Sequence, residues 1–101
     1  MSNEEITKKI IPFMIQAGAT RAGLFGSSAR QQLSPESDVD ILVDLPMTKT
    51  LLDFITLKMH LEEILGRPVD LVEYGALKPR MREQILKEEI RVYDQGSKGL
   101  S

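Results

Sequence analysis

The chain contains no cysteine. Disulfides, thiolate nucleophiles and zinc–cysteine sites are therefore excluded. No apolar run is long enough to span a bilayer, and the first residues, Met1-Ser2-Asn3-Glu4-Glu5, are acidic rather than signal-like. A cytoplasmic protein without a membrane partner is expected. Charge of one sign is also scarce: the formal net charge is -2. The chain as a whole is thus no electrostatic nucleic-acid binder, and direct nucleic-acid binding is not expected. There is no internal repeat and no low-complexity segment. What remains is 101 residues, 42% of them hydrophobic and 28% charged. That suits one small domain with a single core. It leaves little room for a separate substrate-binding domain. A large substrate would lie on the surface or arrive with a partner.

Hydrophobic spacing gives the elements. Ile6, Ile10, Phe13, Met14 and Ala17 recur at helical spacing behind a Ser2 or Asn3 cap, with Glu4 and Glu5 at the positive end of the dipole. Pro12 predicts a kink or break, and Gly18 a stop. Thr20 to Phe25 reads as a strand, and Ser28 to Leu33 as a short helix. Ser34-Pro35-Glu36-Ser37 is a turn, and Asp38 to Leu45 is a strand stopped by Pro46. A helix follows from about Leu51 to Leu65, capped by Thr48 or Thr50 and ended by Gly66 and Pro68. Its predicted apolar stripe is Phe54, Leu57, Leu61, Ile64 and Leu65. Val69 to Glu73 is a further strand. Pro79 opens a last helix with Met81, Ile85 and Leu86 as core residues. Ile90 to Tyr93 is a short final strand. The order implies an α/β (α+β) domain: a small mixed sheet of three to four strands with helices packed on it. The domain is expected to span residues 1–94, with 95–101 a disordered tail.

Two features carry chemistry. Gly26-Ser27 is a turn where backbone can pass close to a ligand, and hydroxyl and N–H groups can donate to phosphate. Arg30 would reach phosphate oxygens or brace carboxylates. Such glycine–serine pairs are also ordinary turns. Asp38 and Asp40 alternate on an apolar strand and so project to one face, opposite Val39, Ile41 and Val43. Side-by-side carboxylates repel unless a cation lies between them. Hard oxygens suit Mg²⁺ or Mn²⁺, and positions about 6.5–7 Å apart along a strand can bracket a two-metal site. The ordinary alternative is a half-exposed strand with an acidic polar face, which Asp44 would continue. Asp70 interrupts another apolar strand and is the candidate third carboxylate; its alternative is a strand-end acid facing water. Glu73 falls on the opposite strand face. Asp53, Glu62, Glu63, Glu83, Glu88 and Glu89 lie on predicted helices and read as solvated or ion-paired.

His60 reads as a surface residue, and Tyr74 and Tyr93 as core or rim packing. The basic residues Lys78, Arg80, Arg82, Lys87 and Arg91 read as a solvated helix face that could also meet an acidic or nucleic-acid-bearing partner.

Gly26-Ser27-Ser28-Ala29-Arg30, Ser37-Asp38-Val39-Asp40 and Val69-Asp70-Leu71-Val72 together resemble the signature of the DNA polymerase beta-like nucleotidyltransferase superfamily. Within it the chain is similar to the minimal nucleotidyltransferases, from the first helix to about Tyr93. The resemblance implies a nucleotidyltransferase core that moves a nucleoside monophosphate from ATP or another NTP to a hydroxyl. Asp38 and Asp40 would bind two Mg²⁺ ions (Mn²⁺ being an alternative). Asp70 would complete the catalytic site. Gly26 and Ser27 would hold phosphates, with Arg30 and Ser37 also at the nucleotide. Gln31 departs from the glycine usual after the arginine. Many such proteins are antitoxins paired with a HEPN-domain RNase toxin, whose tyrosine accepts AMP. Homo-oligomer formation is possible on this reading. Two alternatives stay open: an antitoxin that acts by binding alone, and a transferase to a small molecule.

Overall fold

A computed structural model describes residues 2–29 and 38–95 of the chain. Helix α1 spans Asn3–Ala17, strand β1 Arg21–Leu24, helix α2 Gly26–Ala29 and strand β2 Val39–Asp44. Helix α3 spans Leu51–Leu65, strand β3 Val69–Glu73, helix α4 Pro79–Glu88 and strand β4 Ile90–Asp94, with one 3₁₀ turn at Tyr74–Ala76. The four strands form one mixed sheet in the order β3-β2-β1-β4. β2 and β3 are parallel, joined by α3, and the other two pairs are antiparallel.

Local chemistry sets the long helices. Ser2 and Glu5 form a capping box on α1, each side chain accepting the other's backbone N–H. Thr50 and Asp53 do the same for α3. Gly18 (φ 75°) and Gly66 (φ 70°) close the two helices in the left-handed conformation. The break expected at Pro12 does not occur: α1 runs through it unbroken. Pro12 sits on the exposed side, while Ile6, Ile10 and Met14 on the other side are fully buried and hold the helix to the sheet.

Strand parity divides the sheet into two faces. Val39, Ile41 and Val43 of β2 join Val69 and Leu71 of β3 against α1 and α3, which contribute Ile6, Ile10, Met14, Leu57, Leu61 and Leu65. This is the core. Ile64, expected in the α3 stripe, is instead 39% exposed. It lies on the edge of the buried arc, where periodicity alone places it on either side.

The opposite face carries Asp40, Leu42 and Asp44 of β2 and Asp70 and Val72 of β3. A polar cluster closes its β1–β4 side. Tyr74 is buried with the Arg21 guanidinium 4.0 Å from its ring centroid. Its hydroxyl donates to Glu89, which also accepts from Arg91 at 3.0 Å. Arg91 reaches Asp94 at 2.7 Å, and Arg21 pairs with Asp44 at 3.3 Å. Gly23 is required here, because a Cβ would overlap the Glu89 carboxylate. α4 packs beside α2 and buries no residue of its own. Met81, expected in the core, is 50% exposed, and Ile85 and Leu86 are only half-buried. Gln95, assigned to the tail, donates its backbone N–H to the Thr20 carbonyl. Residues 96–101 lie outside the described residues.

Candidate active site

Three chain segments meet at one end of the sheet: the exit of β1 at Phe25-Gly26, the start of β2 and the start of β3. The Phe25 N–H donates to the Asp40 carbonyl at 3.1 Å, and the Val39 N–H to the Pro68 carbonyl at 3.0 Å. These bonds fix the three segments relative to one another.

Asp40 and Asp70 are register partners on adjacent parallel strands. They share a face, as the sequence predicts, and Glu73, opposite Val43, takes the other one. Asp38 immediately precedes β2 and is exposed, Asp40 is half-buried, and Asp70 is exposed. Asp44 belongs to the same face but the far end of β2, where it pairs with Arg21. Asp38, Asp40 and Asp70 are therefore the acids on or next to β2 and β3 at the β1-exit end. As the side chains stand, no three Asp, Glu or His groups among the described residues are gathered closely enough to hold a metal ion.

Gly26 sits directly against Asp40. Its φ is +61°, and a Cβ added there would collide with Asp40 Oδ2. Both the backbone conformation and the close approach require glycine. Gly26-Ser27 forms the first turn of α2 rather than a free turn. Ser28, which the sequence reading passed over for Ser27, is fully buried, and its Oγ accepts the Asp40 N–H at 2.8 Å. The only sequence signal for it is a second serine after Gly26-Ser27. Arg30, Gln31, Ser37 and the expected turn at 34–37 lie outside the described residues, as does most of the helix expected over 28–33.

Of the other singled-out residues, Arg80 and Glu88 line a groove with Phe25 and Gly26; His60, Tyr74 and Tyr93 do not. His60 is exposed, with its ring 5.8 Å from that of Phe13. Tyr93 packs against the core. Burial, and then the hydrogen bond to Glu89, hold the Tyr74 phenol well above its ordinary pKa. Of the basic residues, Arg82 donates to the Tyr74 carbonyl at 2.9 Å and Arg91 is held in the Glu89 cluster. Among the helical acids, Glu62 accepts the Val69 N–H and the Lys58 ammonium, and both bonds lower its pKa.

The family pattern described as polymerase beta, nucleotidyltransferase matches residues 8–98. The chain belongs to this nucleotidyltransferase family. A provisionally named protein adenylyltransferase of Methanocaldococcus jannaschii is 44% identical over 92 residues, covering 91% of this chain and 99% of that one. The protein adenylyltransferase MntA of Thermococcus cleftensis is 43% identical over 75 residues, 74% of this chain and 76% of that one. A solved structure provisionally described as a minimal nucleotidyltransferase is 40% identical with a TM-score of 0.79, covering 89% of this chain and 95% of that one. Two further structures share the fold at lower identity. A toxin–antitoxin structure with AMP-PNP has a TM-score of 0.76 at 24% identity, covering 93% and 78% of the two chains. A tri-AMPylated Shewanella oneidensis HEPN toxin in complex with its MNT antitoxin gives 0.71 at 22%, covering 97% and 78%. The chain is thus a nucleotidyltransferase of the α+β type, and relatives of this family are named protein adenylyltransferases.

Proposed function

We propose that the end of the sheet bearing Asp38, Asp40 and Asp70 transfers AMP from ATP to a hydroxyl of a partner protein, a tyrosine of a HEPN toxin, so that the chain acts as its antitoxin. The observation that carries this is the Asp40–Asp70 register pair with Gly26 seated against Asp40. Supporting it are relatives named protein adenylyltransferase and a neighbour of the same fold in complex with an AMPylated HEPN toxin.

The residues fit a divalent metal. The donors are hard carboxylate oxygens at one end of the sheet, two of the acids are register partners, and Gly26 lets the backbone come directly against the Asp40 carboxylate. Asp38 and Asp40 would hold Mg²⁺ and Asp70 would complete the set. Bound there, the ions would neutralise the triphosphate and favour ionisation of the acceptor hydroxyl. Ser28 fixes the Asp40 backbone through its buried hydroxyl, which keeps the carboxylate in position before substrate arrives. Gly26 and Ser27 would hold the leaving phosphates through backbone N–H groups and the Ser27 hydroxyl, and Arg30 and Ser37 are proposed to join them. Asp70 would also help to take the acceptor's proton. Catalysis of this kind is positioning and charge neutralisation.

The test is incubation of the chain with α-labelled ATP, Mg²⁺ and its cognate toxin. Label is expected on the toxin, and none with Asp40→Ala. Absence of label on any acceptor with the native chain rejects the proposal.

One observation favours a second reading, neutralisation by binding. Leu51, Leu52, Ile55 and Met59 form an exposed apolar row on the side of α3 that faces away from the sheet. An Asp38→Ala/Asp40→Ala double variant that still neutralises the toxin in cells would support binding over transfer.

A further inference from the structure

Strand β3 is an outer strand of the sheet, with β2 as its one neighbouring strand among the described residues. The Val39 N–H donates to the Pro68 carbonyl, which sets the phase of the parallel ladder. Asp70 and Val72 therefore turn their backbone groups toward β2, and Val69, Leu71 and Glu73 turn theirs outward. Glu62 accepts the Val69 N–H at 2.9 Å. The Leu71 and Glu73 N–H groups and the Leu71 carbonyl make the rest of the edge, a template for a further strand. The other outer strand, β4, is blunted by a register shift opposite Ala22 and Gly23. β3 pairs without a shift and contains no proline.

A groove of about 480 Å³ adjoins this edge, lined by Leu71, Val72 and Glu73 of β3 and by Met47, Leu51 and Phe54. Met47 and Leu51 are exposed apolar side chains. Leu51 and Phe54 belong to α3, so the groove opens on the α3 side of the sheet, whereas Asp70 lies on the polar face. Strand alternation connects the two. A chain laid beside β3, about 4.8 Å away, can set one side chain next to Asp70. Its side chain three positions along, opposite Glu73, then turns toward the groove. A second copy of β3 suits this place badly. Asp70 and Glu73 from both copies would put four carboxylates on two adjacent strands. The acids favour a neutral or basic segment instead.

We infer that the acceptor protein docks at the β3 edge by strand addition. An extended segment, neutral or basic, pairs with Leu71 and Glu73 and carries an apolar side chain three positions from its hydroxyl residue. The apolar side chain fills the groove, and the hydroxyl comes to Asp70. Main-chain hydrogen bonds supply the affinity, and the groove and the acids supply the selectivity. This rests on the transfer reading above and adds to it how the acceptor is held.

The experiment is amide hydrogen exchange, read by NMR, on the full chain alone and with saturating cognate toxin. In the complex the Leu71 and Glu73 N–H groups are expected to exchange about tenfold more slowly or better. Those of Asp70 and Val72, already bonded to β2, change little. Two variants carry the test into kinetics. Glu73 has a φ of -78°, which proline adopts, so Glu73→Pro removes one outward N–H without strain. It should raise the KM for toxin about fivefold, the effect of one lost hydrogen bond, and leave the KM for ATP in place. Leu51→Glu puts a charge in the groove at the first turn of α3, where an acid suits the helix. It should raise the KM for toxin about tenfold. The inference is overturned if the toxin binds without slowing Leu71 and Glu73, or if both variants keep the native KM for toxin. It is also overturned if the chain alone shows that protection and the protection grows with concentration, since a second copy then covers the edge. A native chain that neither binds toxin nor transfers AMP rejects the transfer reading itself. AMP transfer with an unprotected edge rejects only the docking mode.

Discussion

At the scale of single residues, Gly26 is where backbone and carboxylate constrain each other. Its φ of +61° and the contact with Asp40 Oδ2 leave no place for a side chain. Gly26→Ala adds left-handed strain of about 1–2 kcal/mol. It also pushes Asp40 aside, and a displacement near 1 Å lowers transfer by about a hundredfold. Melting and AMP-transfer rates measured on one preparation will separate the two effects: a modest loss of stability with a large loss of rate. Gly26 was legible only together with the acids that follow it, because a glycine–serine pair alone is also an ordinary turn. Ser28 was not, since burial decides which of two adjacent serines turns inward. Asp70 was legible as an acid interrupting an apolar strand. Its pairing with Asp40 depends on strand order, which hydrophobic alternation does not encode.

At the scale of elements, helix ends were the most readable part of the chain because caps and left-handed glycines act within one turn. Thr50→Ala removes half of the α3 capping box and is expected to cost about 1 kcal/mol in denaturant unfolding. The break offered at Pro12 fails for a physical reason. Proline weakens a helix by removing one backbone bond, but Ile6, Ile10 and Met14 bury enough surface to carry α1 through it. Pro12→Ala should therefore stabilise the chain, by up to about 3 kcal/mol, with unchanged circular dichroism at room temperature. A lower unfolding midpoint would show that the ring itself contributes packing. α4 was misread in the opposite direction. Its amphipathic spacing is genuine, but Met81 and Ile85 line a groove rather than a core, and periodicity does not distinguish the two.

At the scale of the molecule, the sheet separates stability from chemistry. Its core face is closed by α1 and α3, and its other face holds the acids and the Tyr74–Glu89–Arg91 cluster. Titration should report this. The Glu62 and Asp53 carboxyls lie below their ordinary values of 4.5 and 3.8, lowered chiefly by the Val69 and Thr50 N–H groups they accept. Their contribution is fully present above about pH 4.5 and is lost as pH falls through the depressed folded values. Tyr74 is shifted the other way, so its contribution holds below its ordinary value of 10.0 and is lost as pH rises beyond it. Thermal melts should thus decline below about pH 4.5 and above about pH 10, with Glu62→Gln removing part of the acid limb only. A melt that stays flat on the acid side contradicts these pairings. The central claim is that Asp38, Asp40 and Asp70 work as one site on the polar face. It is tested most directly by single-turnover AMP transfer to the toxin by the native chain, by Asp38→Ala, by Asp40→Ala, by Asp70→Ala and by the Asp40→Ala/Asp70→Ala double variant. Groups acting as a unit lose rate non-additively. Each single variant should lose nearly all transfer and the double variant little more. Transfer at the native rate by the double variant, or losses that simply multiply, would contradict the account.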